Sequence, residues 1–128
     1  MSGPPEVAAV TRLIDQARVS AYADAARDHN PIHIDADFAA TTAFGQRITH
    51  GMLVLALVSE AMAQAFGERW AESGTLKVRW RAPAVQPVTV TARATLRSWE
   101  GGTASYDVTC EAEDGTVLLA GTASAAYE

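Results

Sequence analysis

Two side chains that can move protons lie five residues apart, on either side of a proline. Residues 28–33 read Asp-His-Asn-Pro-Ile-His, which places a carboxylate and an imidazole close together in the chain. Pro31 has a fixed φ and favours extended backbone at Asn30, so the loop has few shapes available. Such a loop can direct both groups at one water molecule, as acid–base catalysis requires. We predict that Asp28 and His33 form a catalytic pair.

The elements around this pair are predicted to be short. Residues 7–14 are predicted to form a strand, after which Asp15 can cap a helix that ends before Asn30-Pro31. Asp35 is predicted to cap a second, short helix that ends near Gly45. The second helix would brace the loop that carries the pair.

Residues 51–66 are predicted to form a long central helix. They read Gly-Met-Leu-Val-Leu-Ala-Leu-Val-Ser-Glu-Ala-Met-Ala-Gln-Ala-Phe, and the first two turns are apolar all round. A helix without a polar face is typically buried on every side. We therefore expect other elements to wrap around it.

The second half of the chain is predicted to supply these elements as strands. Four runs alternate apolar and polar residues, at positions 75–81, 88–96, 104–110 and 117–125. Gly101-Gly102 and Asp114-Gly115 separate the later runs and are tight-turn signals. The pattern predicts an antiparallel meander, and together with the buried helix it predicts an α+β layer arrangement.

Composition and charge are those of a globular protein that does not bind nucleic acid. The chain has 128 residues, 48% hydrophobic and 20% charged, which is typical of a single domain over residues 1–128. Ten basic residues stand against fifteen acidic ones, for a net charge of −5. Binding to nucleic acid depends on clustered Lys and Arg, so this balance argues against such a partner.

The single cysteine and the lack of an apolar run long enough to span a bilayer indicate a cytoplasmic protein. Cys110 is the only cysteine, so no internal disulfide can form, and its alternating strand pattern favours a small buried side chain over a reactive thiol. The first residues lack a basic region followed by an apolar one, and the longest apolar run, residues 52–58, is too short to span a bilayer. We expect no membrane partner.

Three segments between residues 22 and 59 together resemble a known family. Besides residues 28–33, residues 38–44 read Phe-Ala-Ala-Thr-Thr-Ala-Phe and residues 48–53 read Ile-Thr-His-Gly-Met-Leu. These segments resemble the MaoC-like, (R)-specific enoyl-CoA hydratases, whose motif is approximately Ser-Gly-Asp-x-Asn-Pro-x-His, followed by His-Gly-Met/Leu where the central helix opens. The strand half is similar only in pattern. The resemblance implies a hot-dog fold, in which an antiparallel sheet wraps around a long central helix.

The resemblance also implies roles for individual residues. Asp28 and His33 would activate water and pass on its proton, and Asn30 would hold the loop. The backbone N–H of Gly51 would be the oxyanion donor. A helix N-terminus suits that role on physical grounds, because its free N–H groups and partial positive charge stabilise an enolate oxygen. Further residues predicted to contact the substrate or shape its site are Asn30, Ser59, Arg27, His50 and Met52.

The implied reaction is the reversible syn addition of water to a trans-2-enoyl thioester. Coenzyme A, or the phosphopantetheine of an acyl carrier protein, would be part of the substrate, and neither a metal nor a redox cofactor is expected. A homodimer with two sites is expected, because a single short sheet leaves an exposed edge. The cations at Lys77, Arg79 and Arg81 could meet the phosphates of the substrate, although a solvated sheet face is the favoured interpretation.

Two departures from the family pattern lie close to the predicted site. Ala26-Arg27 stands where the family has Ser-Gly, which adds a cation next to Asp28 that could recruit an acidic group of the substrate. Val85-Gln86-Pro87 replaces a Gly-Asp turn before the second strand of the sheet. This second replacement could reshape the end of the acyl tunnel.

Three other functions remain open at this point. A thioesterase of the same fold would carry its carboxylate on the central helix, where Glu60 is the only acid. A specialised dehydratase or cyclase of a polyketide-type pathway would keep Asp28 and His33 but act on an unusual acyl chain. A non-catalytic subunit would only bind acyl thioesters, and the presence of both Asp28 and His33 argues against it.

Overall fold

The computed structural model describes residues 3–128, and these residues form one antiparallel sheet and five helices. The strands are β1 (Val10–Ile14), β2 (Thr75–Trp80), β3 (Val88–Glu100), β4 (Thr103–Ala112) and β5 (Val117–Ala126). The helices are α1 (Gln16–Ala26), α2 (Pro31–Ile34), α3 (Ala36–Ala40), α4 (Gly51–Phe66) and α5 (Glu68–Ser73). The long strands follow the long central helix, as the sequence predicts.

The five strands are arranged in the order β1-β3-β4-β5-β2. The predicted meander is correct for β3, β4 and β5, which turn at Gly101-Gly102 and Asp114-Gly115, but it is wrong for β2. Strand β2 pairs with β5 at the far edge, with Thr75 opposite Ser124, while β1 takes the place beside β3. The physical reason is the connection over residues 81–87. It has no two-residue turn signal, and its extended length of roughly 23 Å is enough to cross two strands spaced about 4.8 Å apart.

Helix α4 packs one side onto the concave face of the sheet. Its buried residues are Val54, Leu57, Val58, Ala61, Met62 and Phe66. The expectation that it is buried on every side is wrong for a single chain, because one five-stranded sheet can cover only one side. Met52 is 55% exposed, Ala56 is exposed, and Leu55 is only partly buried. No helix within residues 3–128 is long and apolar enough to cross a membrane.

The predicted inner faces of the strands form the core where the helix covers them. In β4 the four residues Ala104, Tyr106, Val108 and Cys110 are all buried. Trp80 and Leu96 belong to the predicted inner faces but are exposed, so the core does not extend to these two positions. Burial raises the pKa of the Cys110 thiol to about 12, which agrees with the prediction of a small buried side chain.

The short helices follow the predicted caps with small differences. Asp15 caps α1 by accepting a hydrogen bond from the Arg18 N–H, and Asp35 caps α3 in the same way. Helix α3 ends at Ala40, earlier than the expected end near Gly45. Helices α2 and α5 were not predicted, since a helix of four to six residues is too short to produce a clear hydrophobic period.

Candidate active site

The loop between α1 and α2 turns sharply at Arg27 and then presents Asp28. Arg27 adopts a left-handed conformation with φ of 56°, and the Asp28 N–H donates to the Ala23 carbonyl at 3.0 Å. The Asp28 carboxylate accepts from the Asn30 N–H at 3.3 Å, and the Asn30 side chain accepts from the Ile32 N–H at 3.1 Å. Asp28 therefore has the turn-forming role that Asp often takes before Asn-Pro, and its carboxylate is still 53% exposed.

His33 is oriented by the segment just before α4. Its Nδ1 lies 2.8 Å from the Ile48 carbonyl oxygen. A carbonyl can only accept, so Nδ1 carries the hydrogen and Nε2 of the neutral ring keeps its lone pair. The ring is 9% exposed. This arrangement leaves one nitrogen of a nearly buried imidazole free to take a proton.

His50 joins the loop to the start of α4. Its ring stacks on the His33 ring with 3.7 Å between the centroids and 25° between the planes, and Tyr22 lies against it at 4.8 Å. The His50 Nε2 hydrogen is donated to the Asp28 carbonyl at 3.0 Å. His50 occupies the N-cap position of α4 without capping it through its side chain. It holds the loop that carries Asp28 instead.

The side chains of Asp28, His33 and His50 lie together, with one ligand-type atom of each within 4.8 Å of the others. Three such groups are a minimal metal-ligand set, but the two rings are stacked almost in parallel. Imidazole lone pairs lie in the ring plane and must converge at about 2.0–2.1 Å from a shared ion. The stacked geometry suits proton transfer better than metal coordination.

Gly51 begins α4 directly beside this cluster. The first hydrogen bonds of the helix run from Leu53 and Val54 to the His50 carbonyl, so helix geometry leaves the Gly51 N–H without an intrahelical acceptor. A Cβ on Gly51 would lie 2.8 Å from the Trp80 Nε1. The Trp80 indole donates to the Gly51 carbonyl at 3.0 Å. A larger residue here would therefore require the Trp80 indole or the start of α4 to shift.

A mostly apolar cavity of about 360 Å³ opens next to Gly51. Its walls come from the segment before α4, from α4 itself and from the β2–β3 connection, with Phe44, Ile48, Thr49, Gly51, Val54, Trp80, Arg81, Ala82, Pro83, Ala84 and Leu118. Ile48 belongs both to the cavity wall and to the hydrogen bond that orients His33. Of the predicted site residues Gly51 lines this cavity, whereas Asp28, His33 and His50 do not.

A model of the MaoC-like domain matches residues 3–118, which include strands β1 to β4, the central helix and the whole cluster. The chain belongs to the MaoC-like domain family. This finding confirms the family that the sequence segments resemble.

Relatives of this MaoC-like domain include hydratases and dehydratases. The (R)-specific enoyl-CoA hydratase of Aeromonas caviae is 44% identical over 57 residues, which are 44% of this chain and 42% of the relative. The 3-hydroxyacyl-thioester dehydratase Z of Mycobacterium tuberculosis is 41% identical over 86 residues, which are 64% of this chain and 56% of the relative. The matched segments span about half the length of these two relatives.

Solved structures agree with the fold of this MaoC-like domain over nearly its whole length. The (R)-hydratase from A. caviae superposes with a TM-score of 0.82 at 27% identity, covering 99% of this chain and 100% of that chain. An unliganded R-hydratase from Pseudomonas aeruginosa superposes with a TM-score of 0.84 at 25% identity, covering 99% and 83%. The hot-dog fold implied by the resemblance is therefore confirmed.

Three further predicted site residues of this MaoC-like domain do not line the cavity, namely Ser59, Arg27 and Met52. Ser59 accepts a hydrogen bond from the Trp70 indole at 2.9 Å and does not line the cavity. Met52 and Arg27 are exposed. His29 is exposed and pairs with Asp24. Lys77 and Arg79 of β2 are also exposed, while Arg81, the first residue of the β2–β3 connection, lines the cavity.

Sequence reasoning missed the buried amide of Gln86. It is 9% exposed, and its Nε2 donates to the Ile48 carbonyl at 2.8 Å and to the His33 carbonyl at 3.0 Å. The only signal was the departure of residues 85–87 from the family pattern. Nothing in that departure pointed toward His33, because Gln86 is 53 residues from it in the chain.

Proposed function

We propose that this MaoC-like domain is an enzyme that adds water reversibly to the double bond of trans-2-enoyl thioesters. The observation that carries the proposal is the free Nε2 of His33 beside the Asp28 carboxylate, at the N-terminus of α4. The relatives named hydratases and dehydratases support the same chemistry in both directions. The proposed (R) configuration of the product is supported by the name of the A. caviae relative, an (R)-specific enoyl-CoA hydratase.

The proposed reaction uses a water held between Asp28 and His33. The water oxygen bonds to the β-carbon of the substrate, the double bond becomes single, and the pair passes the proton of the water to the α-carbon. Negative charge that develops on the thioester oxygen is stabilised by the Gly51 N–H and the partial positive charge of the helix N-terminus. All atoms of the product come from substrate and water, so the reaction needs no redox cofactor.

The thioester handle is proposed to be coenzyme A or the phosphopantetheine of an acyl carrier protein. Arg81 supports either choice, because it is the cation on the cavity wall and could meet a phosphate. Parallel assays with crotonyl-CoA and crotonyl carrier protein would distinguish the two handles. The same assays after dialysis against a chelator test the proposal that no metal is needed, and turnover is expected to be unchanged.

The Asp28→Asn variant tests the function directly. Loss of the enoyl absorbance of crotonyl-CoA is followed while free thiol is monitored in parallel. Hydration is expected to fall by about 10²- to 10⁴-fold, because Asn cannot take up a proton. The matched control is Asp24→Asn, since Asp24 is exposed and contacts only the surface residue His29. Equal rates in the two variants would refute the assignment of Asp28.

A thioesterase based on Glu60 is not favoured. Glu60 forms an ion pair with Arg12 of β1 and accepts a hydrogen bond from Gln64, so its carboxylate is occupied away from the cluster. Release of free thiol by the wild-type protein at the rate of enoyl loss would reverse this conclusion. A dehydratase or cyclase of a polyketide-type pathway would use the Asp28–His33 pair and differs only in substrate.

We also propose that the active form is a homodimer. The exposed apolar side of α4, with Met52 and Ala56, and the unpaired edge of β2 both suit burial against a second copy. Sedimentation of the wild-type chain is expected to give twice the chain mass of 13.5 kDa. Ala56→Arg is expected to shift it toward the single chain, and a monomeric wild type would contradict the proposal.

A further inference from the structure

A side-chain amide joins the two segments that hold the catalytic imidazole. Gln86 lies in the β2–β3 connection, and its Nε2 lies 3.0 Å from the His33 carbonyl oxygen and 2.8 Å from the Ile48 carbonyl oxygen. Both partners are carbonyls, which can only accept. The amide must therefore present its NH2 group, and each of its two hydrogens has one acceptor.

The contact at Ile48 is shared with the catalytic ring itself. The Ile48 carbonyl accepts from the His33 Nδ1–H at 2.8 Å and from the Gln86 Nε2 at 2.8 Å. Gln86 is thus linked to His33 directly, through the His33 carbonyl, and indirectly, through the Ile48 carbonyl that accepts from the His33 ring. The Gln16 amide adds a longer contact of 3.3 Å to the His33 carbonyl.

The backbone around Gln86 directs its side chain at these carbonyls. The Gln86 N–H donates to the Arg47 carbonyl at 3.1 Å, and the Thr49 N–H donates to the Ala84 carbonyl at 2.8 Å. Ile48 and Val85 form an isolated bridge between the two segments. The connection is therefore held in register with the segment before α4, which places Gln86 beside the two carbonyls.

The oxygen of the Gln86 amide makes no hydrogen bond within residues 3–128, so the amide acts through its two N–H donors. Gln86 Oε1 is buried without a hydrogen-bond partner among the described residues. A buried polar atom left unpaired costs about 1–3 kcal/mol. The two hydrogen bonds that the amide donates, each worth about 0.5–1.5 kcal/mol, offset this cost, so its two N–H groups are what hold it in place.

We infer that Gln86 is a positioning residue, which holds the His33 main chain and the Ile48 carbonyl so that the imidazole keeps its catalytic orientation. This inference rests on the proposed hydratase function. Gln86 contacts neither the cavity nor the Asp28 carboxylate, so it acts through His33 and not on the substrate.

The first test is the Gln86→Met variant, which keeps the length of the side chain and removes both donors. We expect kcat to fall by about 10- to 100-fold, because small misplacements of catalytic groups cost this much, while KM is unchanged. Gln86→Glu should lose more, because a carboxylate oxygen would face two carbonyl oxygens. The matched control is Gln64→Met, since Gln64 is an exposed amide on α4 that contacts only Glu60.

A second measurement is independent of turnover. In proton–nitrogen NMR spectra, the His33 Nδ1–H signal, assigned by its loss in His33→Asn, is expected to exchange slowly in the wild type and rapidly in Gln86→Met. In the wild type the two side-chain amide protons of Gln86 should exchange more slowly than those of Gln64. This last comparison uses only the wild-type protein, so it does not depend on the folding of a variant.

The outcomes separate the inference from the function. An inactive wild type with protected His33 and Gln86 signals would reject the hydratase proposal and support the positioning role. An active wild type whose Gln86→Met variant has unchanged kcat and an unchanged His33 signal would overturn the inference. A rise in KM at constant kcat would also overturn it, because that result assigns Gln86 to substrate binding.

Discussion

The segment that carries the candidate site and the sheet that supports it are held together in different ways. Between residues 28 and 50 the main contacts run from side chains to backbone carbonyls, as at His33 and His50. The sheet is held by backbone ladders and by side chains with no exposure, such as Tyr106 and Leu119. Single substitutions should therefore affect catalysis in the first region and stability in the second.

The largest effect is expected for His33→Asn. Removing the free Nε2 should lower turnover of crotonyl-CoA by about 10²- to 10⁴-fold, since Asn cannot act as a base. His29→Asn is the matched control, because His29 lies in the same loop but is exposed and pairs with Asp24. Steady-state kinetics on both variants check the prediction, and a similar loss in the control would show that the whole loop, not one ring, matters.

Leu119→Ala should affect the sheet region instead. Leu119 has no exposure and belongs to the core cluster, so its truncation should lower the free energy of unfolding by about 2–5 kcal/mol. The kcat of the folded fraction should not change. Denaturant titration provides the measurement, with Leu13→Ala as the control, because Leu13 is mostly exposed. A large drop in kcat for Leu119→Ala would contradict the expectation that the sheet region affects stability and not catalysis.

Gly51→Ala tests the border between the regions. The added Cβ would lie 2.8 Å from the Trp80 Nε1, so either the indole or the start of α4 must move. We expect turnover to fall by about tenfold, within the range caused by small misplacements. The loss should be smaller in a Trp80→Phe background, where the five-membered ring is absent. An equal loss in both backgrounds would show that a clash with the indole does not cause the loss of turnover.

The smallest effect concerns Cys110. Burial raises the pKa of its thiol to about 12, so the folded protein should not react with iodoacetamide at pH 8, and the urea-unfolded chain should react. The same shift makes stability decrease with pH. The unfolded thiol loses its proton near pH 8.5 while the folded one keeps it, so the free energy of unfolding should fall as the pH rises from there toward 12. Cys110→Ala should lack this part of the pH dependence.

Some of the site could be predicted because its residues are close in the chain. Asp28 and His33 share one loop, and the helix signal begins at Gly51, so local rules for prolines, caps and helices were sufficient. The stacking of His50 on His33 was not predictable, because it depends on how the segment before α4 folds back onto α2. The exposed side of α4 was also missed, since a helix that is apolar all round does not show whether its own sheet covers every side.

By itself, the sequence determined the central helix, the alternating strands with their turns, and the loop with its Asp and His, because each depends on contacts between residues a few positions apart. Only the tertiary structure decided that β2 crosses to the far edge of the sheet, that Trp80 closes over Gly51, and that Gln86 reaches the carbonyls of His33 and Ile48. The physical reason is that these contacts join residues 29 to 53 positions apart, whose meeting depends on the path of the β2–β3 connection and leaves no local pattern in the chain.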